Sequence, residues 1–166
     1  MMLAYENKKS LEEILENTPQ AVLKSVAGKG FKNKLIHGDN LSVLKFLLNS
    51  YKNKVDLIYI DPPFATNGHF KIGVDRANTI SSSDGDELAY SDILVGDDFL
   101  EFLRERLFFL RELLSDRGSI YLHIDYKIGH YVKIIMDEIF GRKYFRNDIT
   151  RIKCNPKNFQ RKAYGN

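Results

Sequence analysis

Four consecutive residues, Asp61-Pro62-Pro63-Phe64, place a carboxylate, two prolines and an aromatic ring directly after the apolar run Val55 to Ile60. A carboxylate accepts hydrogen bonds, a proline has no backbone N–H, and an aromatic ring offers a flat face for stacking. The residue before a proline is kept out of the helical region, so backbone carbonyls in this loop remain available as acceptors. This combination suits an amino group on a planar base.

The chemistry of such an amine decides which groups an enzyme needs. An exocyclic aromatic amine is a poor nucleophile because its lone pair is delocalised into the ring, so its N–H hydrogens must be accepted and its nitrogen made more pyramidal. We predict that Asp61 accepts one hydrogen, that the Pro62 carbonyl accepts the other, and that Phe64 stacks on a base flipped out of a duplex. Stacking of about 1–3 kcal/mol per base largely offsets the few kcal/mol that extrusion costs. A purely structural turn after a strand is the alternative.

The elements around this loop alternate between helix and strand. Ser10 and Glu13 form a capping box that predicts a short helix, and a second short helix is predicted from Pro19 to about Val26, so that residues 1–33 make a helical cover. Beyond it, apolar period and length predict a strand at Lys34 to His37, a helix at Leu41 to Asn49, a buried strand at Val55 to Ile60, a helix at Phe99 to Leu114, a strand at Ser119 to Ile124, a helix at about Ile128 to Phe140 and a strand near Asp148 to Lys153.

Alternating strands and helices imply a parallel-rich α/β sheet, in which ligands bind outside the carboxyl ends of the strands. Asp39, Asp61 and Asp125 each follow a predicted strand, so we expect three acidic groups on one rim. Asp39 is equally well placed to cap the helix that follows it. His123 and Asp125 share a predicted strand face and, with His130, could suggest a metal site. Because no dense set of further ligands accompanies them, we predict no bound metal.

Two further regions bear on function. The segment of about 65–98 has weak periodicity and seven acids against Lys71 and Arg76, and we predict a mobile lid or DNA-facing loop, with a disordered insertion as the alternative. Residues 142–166 carry eight Lys and Arg residues against one acid, with aromatics interleaved. A nucleic-acid surface needs that mixture, although a solvated tail would show it too. The predicted DNA contacts are Arg151, Lys153, Lys157, Arg161 and Lys162.

The Asp-Pro-Pro-Phe loop after a hydrophobic strand resembles the Asp-Pro-Pro-Tyr/Phe motif of amino-methylating DNA methyltransferases that use S-adenosylmethionine. From about residue 34 to the last residue, further stretches are similar to the branch of that family with permuted motif order, which includes modification subunits of restriction systems. These stretches are Leu35 to Leu41, Arg104 to Leu107, Gly118 to Asp125, Asp137 to Gly141 and Asn155 to Phe159.

This resemblance implies an incomplete doubly wound, Rossmann-like methyltransferase sheet in residues 34–166, acting on double-stranded DNA. It implies direct in-line methyl transfer from S-adenosylmethionine to adenine N6, with catalytic residues Asp61, Pro62, Pro63 and Phe64 and cofactor contacts from Asp39, Asp61 and Asp125. Aspartate before Pro-Pro favours adenine, while cytosine N4 is the close alternative and RNA or protein amides stay open. A non-catalytic nucleic-acid-binding fragment is the rival from another class.

In the family, a Phe-x-Gly-x-Gly-like turn after a strand holds the methionine part of the cofactor, because close backbone approach requires glycine. The sequence lacks that turn, since Gly28-Lys29-Gly30-Phe31 precedes a predicted strand. In the permuted branch the motif lies further toward the C-terminus. We therefore expect the front portion of a longer enzyme, which needs a further segment or a second polypeptide that carries the glycine motif.

Composition sets the remaining bounds. With 166 residues and a net charge of +3, the chain is large enough for one domain. Cys154 is the single cysteine, so an intramolecular disulfide is excluded, and the N-terminus lacks the apolar core of a signal peptide. No apolar run approaches the roughly 20 residues of a membrane span. We expect a cytoplasmic protein with no membrane partner.

Overall fold

A computed structural model of the chain describes residues 2–26, 32–62, 69–72, 87–91 and 96–151, with the backbone alone for 69–72 and 87–91. Its elements are α1 (Leu11–Asn17), α2 (Asn40–Tyr51), β1 (Val55–Ile60), β2 (His69–Ile72), β3 (Glu87–Ser91), α3 (Asp97–Leu113), β4 (Leu114–Leu122) and α4 (Tyr126–Met136), followed by a π-helical turn at Asp137–Gly141 and a 3-10 turn at Arg142–Tyr144. The described part of the chain is α/β, as predicted.

The strands that position the Asp-Pro-Pro-Phe loop are β1 and β4. They pair in parallel, with Ile58 opposite Ile120 and Ile60 opposite Leu122, so their carboxyl ends meet at one edge. β2 and β3 form a separate antiparallel pair. The described residues therefore confirm a parallel pair, while the wider doubly wound sheet remains a prediction.

One face of the parallel pair is buried under α3 and α4. Ile58 packs in a cluster with side chains of both helices, among them Leu103, Leu107 and Ile135, each of which is at most 1% exposed. Full burial of such a side chain stabilises a fold by about 1.5–3 kcal/mol. The apolar side chains that repeat along α3 thus form core packing, which is typical of an amphipathic helix.

The opposite face of the same pair is open. Because side chains alternate along a strand, Leu57, Tyr59 and Tyr121 point away from α3 and α4, and they are 64%, 65% and 50% exposed. The two faces differ in exposure although both carry large apolar or aromatic side chains. In the described part of the chain, α3 and α4 cover one face only.

The amino end of the pair contains an irregularity. Val55 pairs with Leu114 and Leu57 with Ser119, so β4 has three extra residues at this point. Gly118 lies in this bulge, and a Cβ there would stand 2.7 Å from the Leu114 side chain and 2.8 Å from the Val55 carbonyl oxygen. Both distances are too short for any side chain, so glycine is required for the close approach of the two backbones.

The N-terminal segment is held against the helices. The capping box is confirmed, because the Ser10 hydroxyl accepts from Glu13 N at 3.0 Å and the Glu13 carboxylate accepts from Ser10 N at 2.6 Å. The Tyr5 hydroxyl donates to Glu101 on α3 at 2.5 Å. The domain division at residue 33 stays a prediction.

Three predicted elements are absent from the residues that the structure describes. Residues 19–26 do not form the predicted second helix, and Val22 and Val26 are 96% and 93% exposed. Residues 34–37 are not a strand, and Leu35 is fully exposed. Residues 148–151 are not a strand either. Short helices and strands need packing or a paired neighbour to be stable, and these apolar side chains have little protein to pack against.

Several boundaries also differ from the prediction, and the largest difference is that β4 begins at Leu114 instead of Ser119. β4 ends at Leu122 instead of Ile124, and α4 begins at Tyr126 instead of Ile128. The 65–98 segment contains β2 and β3, which its weak periodicity did not predict. The rest of that segment lies largely outside the described residues, so its role as a lid stays a prediction. None of the helices in the described ranges has the length and apolarity needed to span a bilayer.

Candidate active site

The edge where β1 and β4 end brings Asp61 and His123 together. Asp61 directly follows β1 and His123 directly follows β4, and the His123 N–H donates to the Ile60 carbonyl at 2.9 Å. The parallel register thus continues one residue past the strands. His123 Nδ1 lies 3.5 Å from Asp61 Oδ1, and the two side chains are 42% and 53% exposed. The carboxylate that the sequence singled out is therefore open to a ligand.

Asp125 lies at the same end of the sheet, three residues beyond β4. It caps α4, with Oδ1 accepting from Lys127 N at 2.9 Å, and its side chain is half-buried. Its predicted place on the same strand face as His123 is wrong, because β4 ends at Leu122. The carboxylate satisfies a helix N-terminus whose N–H groups have no partner within the helix.

Asp39 caps α2 in the same way. Its Oδ2 accepts from Ser42 N at 2.9 Å and from Ser42 Oγ at 2.5 Å, and the Ser42 hydroxyl is the main reason why the pKa of Asp39 is lowered. The capping alternative is confirmed. The predicted contact of Asp39 with a cofactor stays a prediction.

A tight turn at residues 52–54 joins α2 to β1, with Lys54 N donating to Tyr51 O at 3.1 Å. Asp39 precedes α2 and Asp61 follows β1, so both lie at the ends of these elements away from the turn. The meeting of Asp39 with Asp61 and Asp125 on one rim stays a prediction.

Arg106 is a residue of this region that the sequence alone did not single out for a role. Its Nε donates to Asn40 Oδ1 at 2.7 Å, one terminal nitrogen lies 3.8 Å from Asp39 Oδ1, and its guanidinium stacks 3.4 Å from the Phe102 ring centroid. Burial lowers the pKa of Arg106, while Asp39 opposes that shift. Arg106 therefore ties α3 to the start of α2. Its position in an Arg-rich helix carried no signal for this contact, since the contact depends on how two helices pack.

The structure describes only some of the remaining predicted site residues. Pro62 is half-buried beside Asp61. Pro63 and Phe64 lie outside the described residues, as do Lys153, Lys157, Arg161 and Lys162. Arg151 is exposed. No cluster of three or more His, Cys, Asp or Glu side chains suited to a metal ion occurs within the described ranges.

The basic and aromatic segment that begins at residue 142 is exposed as far as it is described. Tyr144 and Phe145 are 57% and 48% exposed, and Lys143 and Lys133 lie 4.9 and 4.1 Å from their respective ring centroids. Positive charge and accessible rings are therefore adjacent. This arrangement can contact phosphates and stack on bases.

Known proteins are similar to most of this chain. Residues 55–166 match a family model described as DNA methylase, whose name joins N6 and N4 methyltransferases. The chain is 42% identical over 134 residues to the Type II methyltransferase M.EcaI of Enterobacter cloacae, covering 81% of this chain and 27% of that protein. It is 36% identical over 132 residues to the Type III restriction-modification enzyme StyLTI Mod subunit of Salmonella typhimurium, covering 73% and 20%.

A third relative, the Type II methyltransferase M.KpnI of Klebsiella pneumoniae, is 36% identical over 123 residues, covering 73% of this chain and 26% of that protein. The chain thus spans only about a fifth to a quarter of the length of these relatives.

Proposed function

The chain belongs to the DNA methylase family, and from that premise we propose that it forms the catalytic portion of a DNA methyltransferase that modifies adenine at N6. The relatives carry the names of Type II methyltransferases and a Type III modification subunit, and we assign this chain to the same restriction-modification setting. The observation that carries the proposal is the open carboxylate of Asp61 at the joined ends of two parallel strands.

Each residue of the loop has a defined task in this proposal. Asp61 accepts one hydrogen of the target amine, and the Pro62 carbonyl accepts the second. Pro63 stiffens the loop, and Phe64 holds the flipped base by its face. Fixing the amine in the geometry of attack supplies much of the acceleration, because correct orientation alone contributes about 7–11 kcal/mol in favourable systems.

The acidic rim fits S-adenosylmethionine, which would be held by Asp39, Asp61 and Asp125. Each capping carboxylate serves its helix with one oxygen, Oδ2 in Asp39 and Oδ1 in Asp125, so the second oxygen can accept from ligand hydroxyl or ammonium groups. When bound, the cofactor supplies an activated methyl group on its sulfonium. Asp39, Asp61 and Asp125 would bind it, and Asp61 would also orient the amine.

The fold of the complete catalytic domain belongs to the same proposal. A doubly wound sheet carries helices on both faces, and the exposed Leu57, Tyr59 and Tyr121 support a second layer over the open face. We propose that a further segment, or a second polypeptide with the glycine-rich turn, completes the sheet and the cofactor site. The chain of 166 residues should therefore bind S-adenosylmethionine weakly.

Calorimetric titration of the chain with S-adenosylmethionine tests this point directly. We expect weak or undetectable binding that a polypeptide carrying the glycine turn restores. Tight stoichiometric binding by the chain of 166 residues would contradict the proposal that the cofactor site is incomplete.

The reaction itself is tested by product analysis. The chain, with the complementing polypeptide present, is incubated with duplex DNA and labelled S-adenosylmethionine, and the DNA is hydrolysed to nucleosides. We expect N6-methyladenine, whereas N4-methylcytosine would show the alternative target. A fluorescent base analogue at the target position should report weaker base capture in Phe64→Ala and near-normal capture in Phe64→Tyr.

DNA binding without catalysis is the second candidate function, favoured by the exposed basic and aromatic segment from residue 142. The proposed DNA contacts are Arg151, Lys153, Lys157, Arg161 and Lys162. A purely binding role predicts equal DNA affinity with and without S-adenosylmethionine, and no methylated product with the complementing polypeptide present. Fluorescence anisotropy of labelled duplex DNA, together with the product assay, separates the two functions.

A further inference from the structure

We infer that His123 is a positioning residue for Asp61: Nδ1–H of the imidazole donates to Asp61 Oδ1, which leaves Asp61 Oδ2 turned toward the amine. This inference rests on the proposed function, because it assigns His123 to the orientation of the proposed acceptor. It adds a residue outside the Asp-Pro-Pro-Phe loop to the site.

The backbone holds the two residues side by side. Ile60 pairs with Leu122 at the last rung of the parallel ladder, and the next contact is the 2.9 Å bond from His123 N to Ile60 O. The backbone of His123 is thereby held at the end of the strand that carries Asp61. The 3.5 Å between Nδ1 and Oδ1 exceeds the roughly 2.7–3.2 Å of an N–H···O bond, so the inferred bond requires a rotation of one of the two side chains toward the other.

Because side chains alternate between the two faces of a strand, Asp61 and His123 lie on the same face of the sheet. Asp61 continues the face of Tyr59, and His123 continues the face of Tyr121, which is opposite Tyr59 in the register. The nearby carboxylate of Asp125 is turned to the N-terminus of α4. The imidazole therefore meets the Asp61 carboxylate on the open face of the sheet.

An acceptor that is 53% exposed gains from such a partner. A carboxylate in water samples several orientations, and fixing it in the reaction costs side-chain entropy. A donor on one oxygen restricts that rotation before the base arrives. Misplacement of a reacting group by about 1 Å can cost about a hundredfold in rate, so the contact should act on turnover more than on substrate binding.

The first test uses the full chain and needs no activity. At a pH where the imidazoles are neutral, long-range proton–nitrogen NMR reports which ring nitrogen of each histidine carries the proton. We expect the Nδ1–H form for His123 in the unmodified chain and a shift toward the Nε2–H form in Asp61→Ala. His37 and His130 serve as internal controls and should not change. An Nε2–H form in the unmodified chain, or no response to Asp61→Ala, would overturn the inference.

The second test measures methyl transfer in the complemented protein. His123→Asn places an amide N–H near the position of Nδ1, whereas His123→Leu removes the donor. We expect kcat to fall about tenfold in the leucine variant with little change in KM for DNA, and the asparagine variant to recover most of that loss. His130→Leu is the matched control on the exposed side of α4. Equal rates for His123→Asn and His123→Leu would contradict a role for the donor.

The two tests separate failure of this inference from failure of the proposed function. If the expected tautomer is present but the unmodified, complemented protein transfers no methyl group, the proposed function fails and the imidazole has no reaction to position. If methyl transfer proceeds and His123→Leu is as active as the unmodified protein, the proposed function stands and the inference fails.

Discussion

At each end of the β1–β4 pair, an aspartate from the β1 side lies beside a basic side chain from the β4 side. The contacts at the two ends differ. At the amino end, Asp56 accepts from Ser115 Oγ at 2.6 Å and from two nitrogens of Arg117 at 3.2 Å each. At the carboxyl end, Asp61 lies 3.5 Å from His123. Among the described residues, the first carboxylate accepts three hydrogen bonds, whereas the second has a longer contact with an imidazole.

The difference separates a structural carboxylate from one suited to function. Arg117 is permanently charged, and with Ser115 it uses most of the acceptor sites of Asp56. The His123 imidazole contacts only Oδ1 of Asp61 in the 3.5 Å pair, and the Asp61 side chain is 53% exposed. The amino end also contains the bulge at Gly118. In open α/β sheets, ligands bind outside the carboxyl ends of the strands.

The largest expected effect is on the rate of methyl transfer when each of the two aspartates is replaced by alanine. Asp61→Ala should reduce methyl transfer in the complemented protein by about a hundredfold to a thousandfold, because it removes an acceptor used mainly in the transition state. DNA affinity should change little. Asp56→Ala, at the other end of the same strand, should keep the rate within about twofold. Initial-rate assays check both, and near-normal turnover of Asp61→Ala would contradict the proposed role.

The second comparison is between the basic residues of the C-terminal segment and Arg117 at the amino end of the pair. We expect glutamine substitutions to make the dependence of log affinity on log salt less steep, by about one unit of slope for each phosphate that the protein no longer neutralises. The substituted residues are Arg151, Lys153, Lys157, Arg161 and Lys162. Arg117→Gln, at the amino end and 85% exposed, is the matched control and should leave the slope unchanged. Anisotropy titrations of duplex DNA at several salt concentrations measure it. An unchanged slope in the fivefold variant would exclude this segment as the DNA surface.

Sequence periodicity predicted the helices and the strand whose apolar side chains form the core. β1, α3 and α4 have apolar side chains at regular spacing, and Ile58, Leu107 and Ile135 are buried where that spacing requires. Leu35 and Val22 also lie in apolar runs, but they are exposed and their segments form neither strand nor helix. A short apolar run specifies an element only when a partner covers it.

The site could be predicted from the sequence only in part. Asp61 follows a strong strand signal, and Asp39 precedes a strong helix signal, so local pattern placed both. The contact between Asp61 and His123 depends on the register of β1 against β4, which neither segment encodes by itself. The contact of Arg106 with Asn40 depends on the packing of α2 against α3. Non-local pairing was therefore what the sequence left undetermined.

The third prediction compares one glycine from each end. Gly118→Ala should destabilise the chain by about 1–3 kcal/mol, because its Cβ would lie 2.7 Å from Leu114 and 2.8 Å from the Val55 carbonyl. Gly129→Ala in α4 places its Cβ at an ordinary 3.6 Å from Ile124, and should stabilise the helix by about 0.5–1 kcal/mol. Urea denaturation followed by circular dichroism measures both. If Gly118→Ala were as stable as the unmodified chain, the backbone at the bulge would be able to shift at little energetic cost.

The smallest effect is the pH dependence of the amino-end pair. Hydrogen bonding from Arg117, followed by that from Ser115, lowers the pKa of Asp56. Because the folded-state pKa is below the unfolded value of about 3.9, the pair contributes stability above that unfolded value and loses it as the pH falls through the folded-state pKa. The effect should be small because Arg117 and Asp56 are 85% and 55% exposed and solvent screens their attraction.

Asp56→Asn and Arg117→Gln should each lower stability slightly at pH 6, and the difference from the unmodified chain should shrink as the pH falls below about 4. Urea denaturation at several pH values and two salt concentrations measures this difference, which added salt should also reduce. A difference that stayed constant from pH 6 to pH 2.5 would mean that the ion pair does not stabilise the fold. Asp56 would then be less distinct from Asp61 than its three hydrogen bonds imply, and the contrast between the two ends would rest on the Gly118 bulge alone.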